Sequence, residues 1–199
     1  MPDITPPPVA NGPQAGVQRR GRRTLILLAA IAIAPIAASY AAFYLFRHDA
    51  QLNYGTLLPT APAPVVDGSR QDGSAFRLAD LRGRWVLVQT AEGGCAAGCE
   101  RALYATRQAR TMQGREQERI TRVLLVPEGV ALPESLLAQH PGLVVARVPP
   151  QASAVLPGPP ATTILIDPLG NLVLQYGEDP DAKGIAKDLG RLLKASRIG

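Results

Sequence analysis

Histidine is nearly missing from this chain. Among 199 residues only His48 and His140 are histidines, and none lies between Pro141 and Gly199. That scarcity removes whole classes of chemistry. A hydrolase triad has no histidine near a serine motif, and neither an HExxH zinc motif, a P-loop nor a dinucleotide fingerprint occurs. No basic stripe with interleaved aromatics is present, so nucleic acid is not an expected partner. No internal repeat is visible. Cysteine is equally scarce: Cys95 and Cys99 are the only two.

Charge is missing too, over one long stretch. Thr24 to Phe46 reads TLILLAAIAIAPIAASYAAFYLF without a single charged side chain. At about 1.5 Å rise per residue such a run covers the roughly 30 Å hydrocarbon core of a bilayer. It is apolar on every face, unlike a buried core helix. It also exceeds the usual apolar region of a cleaved signal peptide, although Ala37, Ala38 and Ser39 could suit a peptidase. Pro35 sits mid-span, where a membrane helix tolerates it. Arg19, Arg20, Arg22 and Arg23 precede the span and only Arg47 follows it closely. The positive-inside rule then places the N-terminus in the cytoplasm and residues 47–199 outside. Residues 1–23 carry four arginines and one aspartate, a net +3 of the chain's +5, so the basic balance partly reports topology.

The expected domain plan follows. Residues 1–23 form an unstructured cytoplasmic tail with a basic cluster, 24–46 a transmembrane helix, 47–63 a Pro-rich linker, and 64–199 an extracytoplasmic domain. Within the domain, Val65–Leu78 suggests a hairpin turning at Asp72 and Gly73. WVLVQT (Trp85–Thr90) is a continuous apolar run suited to a central strand. A helix from about Glu100 to Arg115 places Ala102, Ala105, Ala109 and Met112 on one face. ITRVLLV (Ile120–Val126) is a second buried strand, Pro133–His140 a short helix, and Leu143–Val148 an edge strand. TTILID (Thr162–Asp167) and NLVLQY (Asn171–Tyr176) flank a turn at Pro168 and Gly170. A closing helix from Asp181 puts Ile185, Leu189, Leu192 and Leu193 inward. Strand–helix–strand order followed by an antiparallel hairpin predicts an α/β fold, a mixed sheet with flanking helices.

The cysteines fall where such a fold places its sites. They occupy GGCAAGCE, directly after a central strand and at the start of a helix. Helix-terminal N–H groups there stabilise a thiolate. Three readings stay open at this point: a redox-active pair, two ligands for one soft metal ion, or a stabilising bridge. In an oxidising compartment a disulfide would persist. Arg101, Arg107 and Arg110 on the following helix read as a solvated face. His48 reads as an interfacial residue and His140 as a surface one.

Strand, C-x3-C, helix, then TTILIDPLGN and a terminal helix resemble the thioredoxin-like superfamily. LRGRWVLVQ before the cysteines and LIDPLGNLV after them resemble the SCO/SenC family of copper-site assembly proteins for cytochrome c oxidase, over roughly residues 60–195. The resemblance implies a thioredoxin-like fold, copper as cargo, and Cys95 and Cys99 as Cu(I) ligands or as a redox pair. It implies oxidase subunits or other assembly factors as partners, beside the lipid bilayer, at a bacterial inner membrane with the domain in the periplasm. Two departures stand out. Ala96 and Glu100 replace the family's prolines beside the cysteines. The family's third copper ligand, a histidine, maps near Pro159. The copper triad is therefore incomplete, and two thiolates alone suit linear Cu(I). Pro160, or Ala161 in exact register, maps to the cis-proline position of related thiol oxidoreductases.

The leading expectation is an assembly factor rather than a turnover enzyme, acting by thiol redox or Cu(I) handling. A general periplasmic thiol–disulfide oxidoreductase is the alternative enzyme reading, against which C-x3-C spacing counts. A non-catalytic interaction module on a thioredoxin-like scaffold is the third.

Overall fold

A computed structural model describes residues 15–45, 53–159 and 162–196. It divides into two compact units, Met1–Ala50 and Gln51–Gly199. The described residues of the first form one helix, α1 (Ala15–Leu45), with Pro35 inside it. Its stretch Gly21–Ala42 has a mean hydropathy of 2.2 and is long and apolar enough to cross a membrane. The helix begins well before the charge-free run. Residues 15–23, expected in the unstructured tail, are helical, in keeping with the good helix propensity of arginine and glutamine there. Residues 1–14 and His48 lie outside the described residues.

The second unit is built on one sheet of eight strands: β1 (Thr56–Leu57), β2 (Asp67–Arg70), β3 (Ala75–Arg77), β4 (Trp85–Thr90), β5 (Ile120–Pro127), β6 (Leu143–Val148), β7 (Thr163–Ile166) and β8 (Leu172–Tyr176). Their order is β1-β8-β7-β4-β5-β6-β2-β3. The β4–β5 and β5–β6 pairs are parallel, and β7 and β8 run antiparallel to their neighbours. The helices are α2 (Ala97–Thr111), α3 (Glu134–Gln139), α4 (Pro150–Ser153) and α5 (Ala182–Ala195). The fold is thus the expected mixed sheet with flanking helices.

Strand alternation sorts the core into layers. From β4, Val86 and Val88 join Phe76, Val123, Leu125, Ala146 and Ile164 on one face. Trp85 and Leu87 point the other way, against Ala105 and Ala109 of α2 and Ile185 and Leu189 of α5. Every residue of β4 is buried, which is why its sequence is a continuous run rather than an alternating one. Asp181 caps α5 by accepting from the Gly184 N–H at 2.9 Å.

Two expectations change at the sheet edges. β6 is interior, because the β2–β3 hairpin pairs with it through β2 and becomes the edge itself. The segment 53–63, expected as part of the linker, is built into the domain. Thr56 and Leu57 pair with β8, Leu58 N–H donates to the Val173 carbonyl, and Pro62 bridges Asn171. The buried Asp188 of α5 accepts the backbone N–H groups of Tyr54 and Gly55 at 3.0 and 2.9 Å. A proline-rich composition marked this stretch as extended. It did not show that the edge of β8 was available to hold it.

Candidate functional site

The cysteine pair sits at the carboxyl end of β4. The chain leaves the strand at Ala91, makes a short turn over Glu92–Gly94, and enters α2 at Ala97. Gly93, Gly94 and Cys95 all have positive φ, at +64°, +92° and +64°. Cys95 is the only non-glycine among the described residues to do so. The left-handed region costs a side-chain-bearing residue about 1–2 kcal/mol. Such strain at a chemically active residue is a common mark of a functional turn.

Cys95 and Cys99 are joined by a disulfide, with a Cα–Cα distance of 5.1 Å. The left-handed turn brings Cys95 back onto the first turn of α2, where Cys99 lies. Both residues are only 4% exposed. Leu103, Leu124, Val126, Leu136 and Val145 surround them, with Val130 and Leu132 of the β5–α3 loop packed alongside. Ala96 precedes α2 without a side-chain cap, and Glu100 is the one acid in its first turn. The N–H groups of that turn are the local source of positive potential for a thiolate.

A cavity of about 520 Å³ lies among α2, α3 and the start of α5, and neither cysteine lines it. Its wall includes Glu100, Arg101, Tyr104, Leu136, His140 and Asp181. Leu136 belongs both to this wall and to the cluster around the disulfide. Tyr104 is half exposed, and Arg101 is tied to Asp179 at 2.9 Å.

The histidine and arginine expectations need correction. His140 is not a surface residue: it is 5% exposed, at the C-terminal end of α3. Burial foremost, then the charges of Arg122 and Arg107, lowers its pKa to about 4. Arg107 and Arg110 do not form a simply solvated face. Arg107 donates to the Gln139 carbonyl and Arg110 to that of Ile120, so each guanidinium turns inward onto a backbone acceptor. Met112, placed on one face of α2 with the buried Ala102, Ala105 and Ala109, is itself 54% exposed. Pro159, at the position of the missing histidine ligand, is exposed in the loop before β7. Pro160 and Ala161 lie outside the described residues.

Sequence reasoning missed two features here. Leu136 is one of two adjacent leucines in a short helix, and nothing local says which faces the cysteines. Arg122 was detectable, being the one charge inside the apolar run ITRVLLV; it is 2% exposed.

The donor set decides what the site can hold. Among the described residues no three His, Cys, Asp or Glu side chains gather as a metal cluster. Two cysteine sulfurs do not complete a Cu(II) site. Once reduced, they match the two-coordinate, sulfur-only preference of Cu(I).

Fold and cysteine placement define a thioredoxin-like domain. The chain belongs to the family described as transmembrane-like, thioredoxin-like: the model of its C-terminal domain matches residues 85–196, and the model of the transmembrane-like N-terminal domain matches 15–45. The solved structures it resembles include Sco proteins, as the sequence resemblance implied. Apo Sco1 from Thermus thermophilus is 25% identical, with a TM-score of 0.56, covering 72% of this chain and 96% of that one. Copper-bound yeast Sco1 is 14% identical, with a TM-score of 0.60 and coverages of 70% and 96%. The thioredoxin domain of a thiol-disulfide oxidoreductase from Bacteroides vulgatus is 17% identical, with a TM-score of 0.51 and coverages of 68% and 99%. No curated protein matches the sequence.

Proposed function

We propose that the protein is a membrane-anchored, thioredoxin-like assembly factor for cytochrome c oxidase, working by thiol–disulfide exchange at Cys95 and Cys99. The observation that carries the reading is the disulfide itself, set on a left-handed cysteine at the β4–α2 junction. In the step proposed, a partner thiolate attacks Sγ of Cys95. The Cys95–Cys99 bond breaks and a mixed disulfide forms. Cys99 leaves as a thiolate, facing the N–H groups of the first turn of α2. A second partner thiolate attacks the mixed disulfide, giving an oxidised partner and two reduced cysteines. The reverse sequence reduces a partner disulfide, and the relative potentials set the direction.

Arginine asymmetry around α1 supports an N-terminus in the cytoplasm of a bacterium and a periplasmic domain, where such a pair can be oxidised. The same compartment and exchange chemistry would serve a general thiol–disulfide oxidoreductase. Cu(I) as cargo is a second reading, favoured by the two sulfurs on adjoining turns and by the likeness to copper-bound Sco1.

Complementation tests the main reading. In a bacterial strain lacking the gene, the wild-type chain should restore oxidase activity and the Cys95→Ser/Cys99→Ser variant should not. Full restoration by the variant would leave only a scaffold role. A reduction potential below about −300 mV would mark the bridge as structural. The copper branch fails if competition with a Cu(I) chelator shows wild type binding no more tightly than Cys95→Ser.

A further inference from the structure

Away from the cysteines, four basic side chains converge, and among the described residues no acid balances them. Arg107 and Arg110 come from α2, Arg122 from β5, and His140 from the end of α3. Arg122 is 2% exposed and His140 is 5% exposed. One guanidinium nitrogen of Arg122, Nη2, donates to the Pro141 carbonyl at 3.0 Å, and Arg107 donates to the Gln139 carbonyl. Two arginines therefore grip the backbone on either side of His140. Nε and Nη1 of Arg122 and Nδ1 of His140 are buried without a hydrogen-bond partner. The charges that act on Arg122 are those of Arg110 and Arg107, and those that act on His140 are Arg122 and Arg107. Among the described residues no carboxylate contributes to either.

Such an arrangement is costly unless something supplies acceptors and negative charge. Buried guanidinium N–H groups without partners forfeit strong hydrogen bonds, and several cations brought together repel. An oxyanion corrects both deficits at once, through charge-assisted bonds. Three arginines favour an anionic group with several acceptor oxygens. His140 also lines the cavity of about 520 Å³, and none of the three arginines does, so the cavity meets this cluster at the His140 ring. The acids on that wall, Glu100, Asp179 and Asp181, lie toward the N-terminal ends of α2 and α5, and Asp179 is already paired with Arg101.

We infer that Arg107, Arg110, Arg122 and His140 form a binding site for a phosphate-type oxyanion, either free or on a phospholipid headgroup. The ligand accepts from Nε and Nη1 of Arg122 and from Nδ1 of His140 carrying a proton.

The chain's two histidines make the test direct. NMR of histidine-labelled full-length protein in an uncharged detergent follows the His140 ring, with His140→Gln assigning its signal. Without oxyanion, His140 should titrate near pH 4, among the charges of Arg107 and Arg122 and the more distant Glu100, Arg101, Asp179 and Asp181. Saturating inorganic phosphate should raise that midpoint by about one unit or more. A shift with phosphate supports a free ligand. A shift only in bicelles containing phosphatidylglycerol, and not with phosphate, supports a headgroup. Arg122→Met should weaken the effect by about tenfold or more. If that variant does not fold by circular dichroism, Arg107→Gln replaces it and should weaken the effect in the same way. A His140 titration unmoved by either ligand overturns the inference. So does a shift that survives the arginine substitutions unchanged.

Discussion

Gly94 and Cys95 occupy the same left-handed region of backbone space, at φ +92° and +64°, yet only glycine enters it without steric cost. The turn that closes the disulfide therefore places strain on one of the two bonded residues. In the chain-entropy model a ring this short contributes about 2 kcal/mol. If the turn keeps its shape without the bridge, the left-handed cost is carried before and after reduction alike. Reduction should then destabilise the domain by about 2 kcal/mol, read from urea midpoints with and without reductant. Cys95→Gly/Cys99→Ala should exceed Cys95→Ala/Cys99→Ala in stability by about 1 kcal/mol. Equal stability of the two double variants would show that the turn relaxes once the bridge is gone.

Asp188 ties the segment before residue 64 to α5. It is fully buried and accepts two backbone N–H groups from Tyr54 and Gly55. Its neighbour one turn back, Gly184, leaves room for the Tyr54 ring, which a Cβ would strike. A chain trimmed to begin at residue 64 loses these partners, strands a buried carboxylate and bares the edge of β8. It should be less stable by about 3 kcal/mol or more than one beginning at residue 51, and more prone to aggregate. Thermal melts and light scattering on the two chains check this. Gly184→Ala in the longer chain should destabilise in the same direction.

The central sheet and α2 were legible because apolar runs and helical spacing carry them directly. WVLVQT and TILI are buried on both faces, and no loop pattern imitates that. The β2–β3 hairpin was legible from its turn at Asp72 and Gly73, but its docking on β6 and the pairing of β1 with β8 were not, because an edge depends on which segment finds it: TL has no pattern of its own, and pairing alone makes it a strand. The cysteine site divides in the same way. Its position could be read from strand-to-helix order. Its burial could not, because the cover comes from the β5–α3 loop and α3, which reach it through tertiary packing.

His140 should make stability depend on pH. Its pKa falls to about 4 in the folded domain, against about 6.5 when unfolded. Below pH 6.5 the unfolded chain binds a proton that the folded chain refuses. The contribution is present in full above pH 6.5 and is lost as pH falls toward 4. The difference amounts to roughly 3 kcal/mol. Carboxylates titrate in the same range, so the informative quantity is wild type minus His140→Gln. Urea unfolding of both chains from pH 7.5 to 4 should give a difference that changes across this window. A constant difference would mean that His140 becomes charged in place.

The burial of the disulfide bears on how a partner reaches it. With each cysteine 4% exposed, exchange requires either local opening or global unfolding. Leu136 is the side chain shared by the cavity wall and the disulfide cluster, so its removal shortens the path from cavity to sulfur. Leu136→Ala should also destabilise the domain by about 2–4 kcal/mol, which would speed reduction by global unfolding alone. Leu165→Ala separates the two causes. Leu165 is fully buried in the layer against α5, away from the cysteines, and its truncation has a similar cost. If the cavity is the route, reduction by dithiothreitol in native buffer should accelerate strongly in Leu136→Ala and little in Leu165→Ala. Equal acceleration at matched loss of stability would mean that the sulfurs are reached only through unfolding, which would weigh against exchange at a folded site.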